Sequence, residues 1–187
     1  MSIVTLTVLG AILPLLQAGS GGVPGQTARS AVAIDWRAAD RQADTDERRL
    51  LTQAGTRAPR PSEEQLRRVE VPVLLVDPGR VRGAPGFNGQ RLAYAASYDL
   101  QGATLGVFGS GTALRLGASS SLARPVRAQP IAGYFEPSEN AADFSFSRFG
   151  ASYTLRIECA ESDDARCTNG AYLTGVARRL VVVRRSR

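Results

Sequence analysis

The sequence predicts an α+β domain: an antiparallel β-sheet, built as a meander plus a hairpin, with a C-terminal helix packed on it. Three observations carry this. Leu92, Tyr94, Ala96, Tyr98 and Leu100 alternate with small or polar residues, the period-two signature of a strand with one buried face. Phe144 and Phe146, then Tyr153, Leu155, Ile157 and Cys159, repeat that alternation on either side of Phe149-Gly150. Leu173, Val176, Ala177 and Leu180 fall at i, i+3, i+4 and i+7, the stripe of a helix that buries one side. A length of 187 residues with 43% hydrophobic and 21% charged residues suits one domain with appendages.

The chain opens on an export signal. Residues 3–16 are almost wholly apolar, too short for a bilayer span of about 20 residues but suited to the apolar region of a signal peptide. Small residues follow, and Ala18 and Ser20 predict cleavage after Ser20, with Ala18 as the second choice, so that 1–20 is a signal peptide. Met1 supplies the only positive charge ahead of the run, a departure from the usual pattern; retention as an uncleaved anchor and a buried N-terminal strand are the alternatives. Residues 21–30, rich in Gly and polar residues, read as a flexible tether.

Residues 31–70 form a charged helical arm. Asp44 and Arg48, Glu63 and Arg67, and Glu64 and Arg68 stand four apart with the acid first, the favourable helical order. Asp44 or Thr45 is expected to cap a helix ending near Ala54, and Ser62 with Gln65 makes a capping-box pattern for a second. The apolar face is thin. Trp36, the single tryptophan, stands in a polar setting and is the candidate anchor for a partner.

The globular domain is read as 71–187. Val71 to Val76 predicts a short buried strand closed by Asp77-Pro78-Gly79. Residues 79–90 read as a loop. After the Tyr94 strand, Gln101-Gly102 turns the chain into Ala103, Leu105 and Val107. Gly109-Ser110 then suggests a hairpin into a third strand with Thr112, Leu114 and Leu116. Gly106, Gly109 and Gly111 lack the order of a nucleotide loop, and no Gly-Lys-Ser/Thr follows, so turn geometry is the expected reason for them. Residues 118–129 read as a polar loop and 131–135 as a short strand.

Cys159 ends a strand and Cys167 precedes a helix for which Thr168 is the expected cap. An even pair behind an export signal predicts a disulfide, one that adds about 2.5 kcal/mol by loop entropy. The acidic stretch between the two lacks the spaced ligand series of a calcium loop. Val181 to Val183 can form a last strand. Arg178, Arg179, Arg184, Arg185 and Arg187 make a cationic patch for an anionic partner.

Composition closes several chemistries. There is no histidine, and all 23 basic residues are arginine. Serine and cysteine hydrolases that use an imidazole, and Ser-Lys or Schiff-base chemistry, therefore have no residue to act. Arginine stays protonated and cannot replace them. Two cysteines without histidine do not fill a tetrahedral zinc site. No cofactor and no metal is expected. Carboxylate chemistry survives, with Glu136 and Glu139 as the candidates beside aromatic residues that could stack on a sugar.

The functional expectation is a periplasmic or secreted bacterial cell-envelope protein, a non-catalytic binding or interaction module. Its partner is an envelope protein or an anionic surface, whether lipid, lipopolysaccharide or cell-wall glycan. No specific nucleic acid is expected, and no transmembrane span after signal cleavage. The alternatives are a carboxylate-dependent enzyme acting on glycans, and a carrier of a small apolar ligand in a pocket under the meander, where Tyr94 and Tyr98 would line it.

Overall fold

The structure, a computed structural model, describes residues 29–53, 60–81, 83–114, 124–128 and 131–183. The expected signal segment, the tether up to residue 28, and Arg184, Arg185 and Arg187 lie outside the described residues.

In chain order the elements begin with β1 (Arg29–Ala31), α1 (Trp36–Gln53), α2 (Glu63–Arg67), β2 (Val73–Leu75) and a 3-10 turn (Pro78–Arg80). Strands β3 (Gly86–Gln90), β4 (Ala93–Leu100), β5 (Ala103–Ser110), β6 (Thr112–Leu114), β7 (Arg124–Ala128) and β8 (Ile131–Pro137) follow. The remainder is β9 (Ala141–Arg148), β10 (Ala151–Cys159), α3 (Ala165–Thr168), α4 (Gly170–Arg178) and β11 (Val181–Val183).

Seven strands make one antiparallel sheet in the order β3-β4-β5-β10-β9-β8-β7. Two meanders thus lie side by side, joined where β5 pairs with β10. Alternation sorts the side chains as expected. Tyr94, Tyr98, Leu105, Val107, Phe144, Phe146, Tyr153, Leu155 and Ile157 are buried on one face. The opposite face carries Ser97, Thr104, Phe108, Tyr134 and Glu158, all exposed. Antiparallel sheets tolerate water on one side in this way. The C-terminal helix α4 packs on the inner face against β8, β9 and β10.

A two-stranded ribbon, β2 paired with β11, covers the rest of that face. A ribbon this narrow has two free edges, and each is closed by side chains. On the β2 edge, the Tyr94 hydroxyl accepts from the Leu74 N–H at 2.8 Å and donates to the Leu74 carbonyl at 2.9 Å. The Val76 N–H donates to the Tyr98 hydroxyl at 3.1 Å, and the Tyr153 hydroxyl donates to the Pro72 carbonyl at 2.9 Å. Three tyrosines of the large sheet stand in for a neighbouring strand, satisfying backbone groups that burial would otherwise leave unpaired. Burial lifts their phenol pKa values, that of Tyr98 to about 12. On the other strand, the Val182 N–H donates to the Asp46 carboxylate at 2.9 Å, and Asp46 is only 3% exposed.

Asp46 lies on α1, and the helix docks on the body through that carboxylate together with Ala43 and Leu50. Ala39 and Ala43 are buried beside it, while Leu51 is 76% exposed. The helix starts at Trp36, earlier than Asp44 or Thr45 suggested, because the Asp35 side chain already accepts from the Ala38 N–H at 2.9 Å. The capping box of Ser62 and Gln65 forms as expected, and Arg67 and Arg68 pair with Glu63 and Glu64.

Four local expectations change. Residues 86–90 and 124–128, read as loops, are the two edge strands of the sheet, recruited by backbone pairing with β4 and β8 despite their Gly and Pro content. The segment after Gly111 leaves the sheet: β6 pairs with β1, and β3 is the third strand of the first meander. Gly109 sits within β5 opposite both Tyr94 and Tyr153, and a Cβ there would lie 2.2 Å from the Tyr94 ring. That glycine makes room for two rings; it does not turn the chain. Finally, Asn169 caps α4 by accepting from the Ala171 N–H at 3.0 Å, and Thr168 ends the short α3.

Candidate functional site

A pocket of about 720 Å³ opens beside the inner face, where α1, the Asp77–Val81 turn, the β4–β5 hairpin and α4 meet. Its apolar lining is Leu100 and Leu105 from the hairpin, Val76 and Val81 from the turn segment and Val176 from α4. Its polar lining is Arg49, Arg80, Arg179, Tyr172 and Asp77.

Local sequence places each of these. On α4, Tyr172, Val176 and Arg179 stand at i, i+4 and i+7, a second stripe beside the core stripe of Leu173 and Ala177, so one helix serves both core and pocket. Arg179 follows the last helical residue, its N–H bonded to the Val176 carbonyl at 2.9 Å. Its guanidinium lies back over Gly175, where a Cβ would meet a guanidinium nitrogen at 3.4 Å. Arg80 is presented by a tight turn: the Asp77 carboxylate accepts from the Gly79 N–H at 3.0 Å, and the Arg80 N–H bonds the Asp77 carbonyl at 2.9 Å. Arg49 is held by Asp46 at 3.4 Å, the carboxylate that also anchors β11.

The electrostatics are lopsided. Arg49 is matched by Asp46. Among the described residues, neither Arg80 nor Arg179 makes an ion pair. Asp77 is the one acid in the lining, and its carboxylate is occupied with the turn. The Tyr172 pKa is raised, first by burial, against the lowering pull of Arg166 and Arg179. Such a place can hold an anion over an apolar floor. It offers no nucleophile–base pair.

The cysteines form the expected disulfide, Cys159 to Cys167, with Cα atoms 6.3 Å apart. It ties the end of β10 to α3, and hence fixes where α4 begins. Asp164 caps α3 by accepting from the Arg166 N–H at 2.8 Å. Arg166 hydrogen-bonds that carboxylate, which lowers the Asp164 pKa to about 2, and Arg166 Nη1 donates to the Gln101 carbonyl at 3.1 Å. The hairpin turn and the base of α4 are thereby joined.

The other candidates lie elsewhere. Trp36 is half-buried and lines a separate pocket of about 170 Å³ with Ala43, Leu66, Val71 and Val182. Glu136 is exposed on the outer face, cross-strand from Asp143, and Glu139 is exposed in the β8–β9 turn; neither lines the pockets described. Asp143 pairs with Arg156 at 3.1 Å, and its pKa is raised by burial against the pull of that arginine. Arg178 is exposed, whereas its neighbour Arg179 enters the large pocket. Tyr94 and Tyr98, the expected pocket lining, are core residues whose hydroxyls serve β2, and Tyr98 also lines a small cavity of about 20 Å³ with Val76, Val81 and Val181. Leu100 and Leu105 take that place on the same meander. Arg49, Arg80 and Tyr172 were missed; only the second stripe on α4 carried a readable signal.

Among the described residues, no helix is long and apolar enough to cross a membrane. Comparison with known proteins gives no match to a family model, a curated protein or a solved structure.

Proposed function

We propose that the chain is a non-catalytic binding module exported to a bacterial cell envelope, periplasmic or secreted, and that its ligand seat is the pocket between α1 and α4. The observation that supports this best is one pocket that joins an apolar floor to two arginines without acidic partners among the described residues. Its volume falls within the roughly 300–1,000 Å³ of small-ligand sites. The lack of histidine and lysine favours holding a molecule over transforming it. Export is supported by the apolar run at 3–16 and by the disulfide, which persists where thiols are oxidised. Exposed Arg178 leaves room for an envelope partner or an anionic lipid, lipopolysaccharide or glycan surface outside the pocket. The glycan-enzyme reading has less support, since Glu136 and Glu139 are exposed and neither faces a pocket described above.

Native mass spectrometry of the full-length gene product, purified from the producing cells, tests this. The expected species lacks 1–20, is two hydrogens lighter for the disulfide, and carries a non-covalent small molecule that a Val176→Phe variant of equal stability releases. Met1 still attached with two alkylatable thiols would overturn export. Absence of any adduct, with no stabilisation by a panel of small amphiphiles, would overturn the ligand seat.

A further inference from the structure

We propose that the pocket takes an amphiphile with a single anionic head, a carboxylate or phosphate, that meets Arg80 and Arg179 while its apolar body lies along Val81 and Leu100; this rests on the pocket being the ligand seat. The division of labour follows from the lining. Among the arginines of the lining, Arg49 is the one with an ion pair among the described residues, to the Asp46 carboxylate at 3.4 Å. Arg80 and Arg179 line the same pocket from two separate elements, one on the Asp77 turn and one at the end of α4. Guanidinium groups favour carboxylate and phosphate oxygens through paired, charge-assisted hydrogen bonds. Arg80 is exposed and Arg179 half-buried, so the attraction works partly through solvent and weakens with added salt.

The lining also says why the head is single and the body apolar. Asp77 sits in the wall next to Arg80, and a second negative group on that side would face its carboxylate. The apolar surface comes from Val81 and Leu100, which are half-buried, with Leu105 and Val176 closing the floor beneath them. Tyr172, half-buried at the α4 wall, can donate its hydroxyl proton to the head; burial, which raises its pKa, keeps that proton in place.

Titration calorimetry on the full chain, below the critical micelle concentrations, tests this with dodecanoate, dodecyl phosphate, dodecanol, octanoate and inorganic phosphate. Dodecanoate or dodecyl phosphate is expected to bind at least tenfold tighter than dodecanol, and the tighter of the two identifies the head. Dodecanoate should exceed octanoate by about tenfold per two methylenes gained. Arg80→Gln and Arg179→Gln should each weaken the anionic ligands about tenfold and leave dodecanol unchanged. Arg178→Gln, outside the pocket, should change binding less than twofold. Equal binding of dodecanol and dodecanoate would overturn the anionic head while leaving the ligand seat standing. Inorganic phosphate binding as tightly as dodecyl phosphate would overturn the apolar body. An effect of Arg178→Gln equal to that of Arg179→Gln would assign the attraction to general surface charge. No binding by any amphiphile would remove the ligand seat and this inference together.

Discussion

The hydroxyl of Tyr94 makes two hydrogen bonds to one residue, accepting from the Leu74 N–H and donating to the Leu74 carbonyl. At Leu74 a single side-chain oxygen thus does what a neighbouring strand would do, as Tyr98 does at Val76 and Tyr153 at Pro72. Tyr94→Phe keeps the ring and orphans both groups. It should destabilise the fold by about 2–3 kcal/mol, whereas Tyr98→Phe, which orphans only the Val76 N–H, should lose about 1 kcal/mol. Urea unfolding of the two variants gives the comparison, and equal losses would contradict the assignment.

Asp46 does for β11 what the tyrosines do for β2. Asp46→Ala leaves the buried Val182 N–H without an acceptor and should cost about 2–3 kcal/mol. Asp46→Asn retains an oxygen for that N–H and should lose less than half as much. A denaturant series on both variants checks the ratio.

Gly109 and Gly175 should respond to alanine with opposite signs. Gly109→Ala drives a methyl into the Tyr94 ring and should destabilise by about 2 kcal/mol. Gly175 lies within α4, and its new methyl would meet only the flexible guanidinium of Arg179. Gly175→Ala should stabilise by about 0.5–1 kcal/mol through helix propensity, and disturb the pocket mouth. Thermal melts report both.

Reducing the disulfide, or replacing both cysteines by alanine, should lower stability by about 2.5 kcal/mol. Because Cys167 fixes the start of α4, amide exchange in residues 170–178 should rise more than in β4 or β5. Uniform acceleration across the sheet would argue against a local staple.

Acid should act on the base of α4. The Asp164 pKa stands near 2 in the fold against about 4 for a free carboxylate. A depressed acid pKa contributes stability that is complete above the unfolded value and is lost as pH falls through the folded one. The window is therefore pH 4 to 2. Asp143 has the opposite sign: its raised pKa makes protonation on mild acidification favour the fold. Asp164→Asn should flatten the stability profile between pH 4 and 2, read by circular dichroism; an unchanged acid limb would refute the role given to Arg166.

Much of the sheet was legible because alternation is a local signal. Tyr94, Ala96 and Tyr98 announced β4, and Phe144 to Cys159 announced the hairpin and its disulfide. The edge strands were not legible, since Gly86, Gly89 and Pro125 disfavour strand locally, and the pairing with β4 and β8 that makes them strands is not a local signal. The partner of β2 was not legible either, because Val73 to Leu75 meet Val181 to Val183 from far along the chain. The same holds for the pocket. Arg49 looked like one member of a balanced charged run, and Arg80 like a turn residue. Only tertiary packing brings them to Arg179.

The β2–β11 ribbon also constrains how quickly the native state can be reached. The hairpins of the sheet close over short stretches, but Leu75 must find Val181 across most of the folded chain. High contact order of this kind slows barrier crossing. The hydroxyls of Tyr94, Tyr98 and Tyr153 exchange water for backbone partners only when β2 docks, and the turn carrying Arg80 follows β2 directly, so the wall that holds Arg80 is set by the same event.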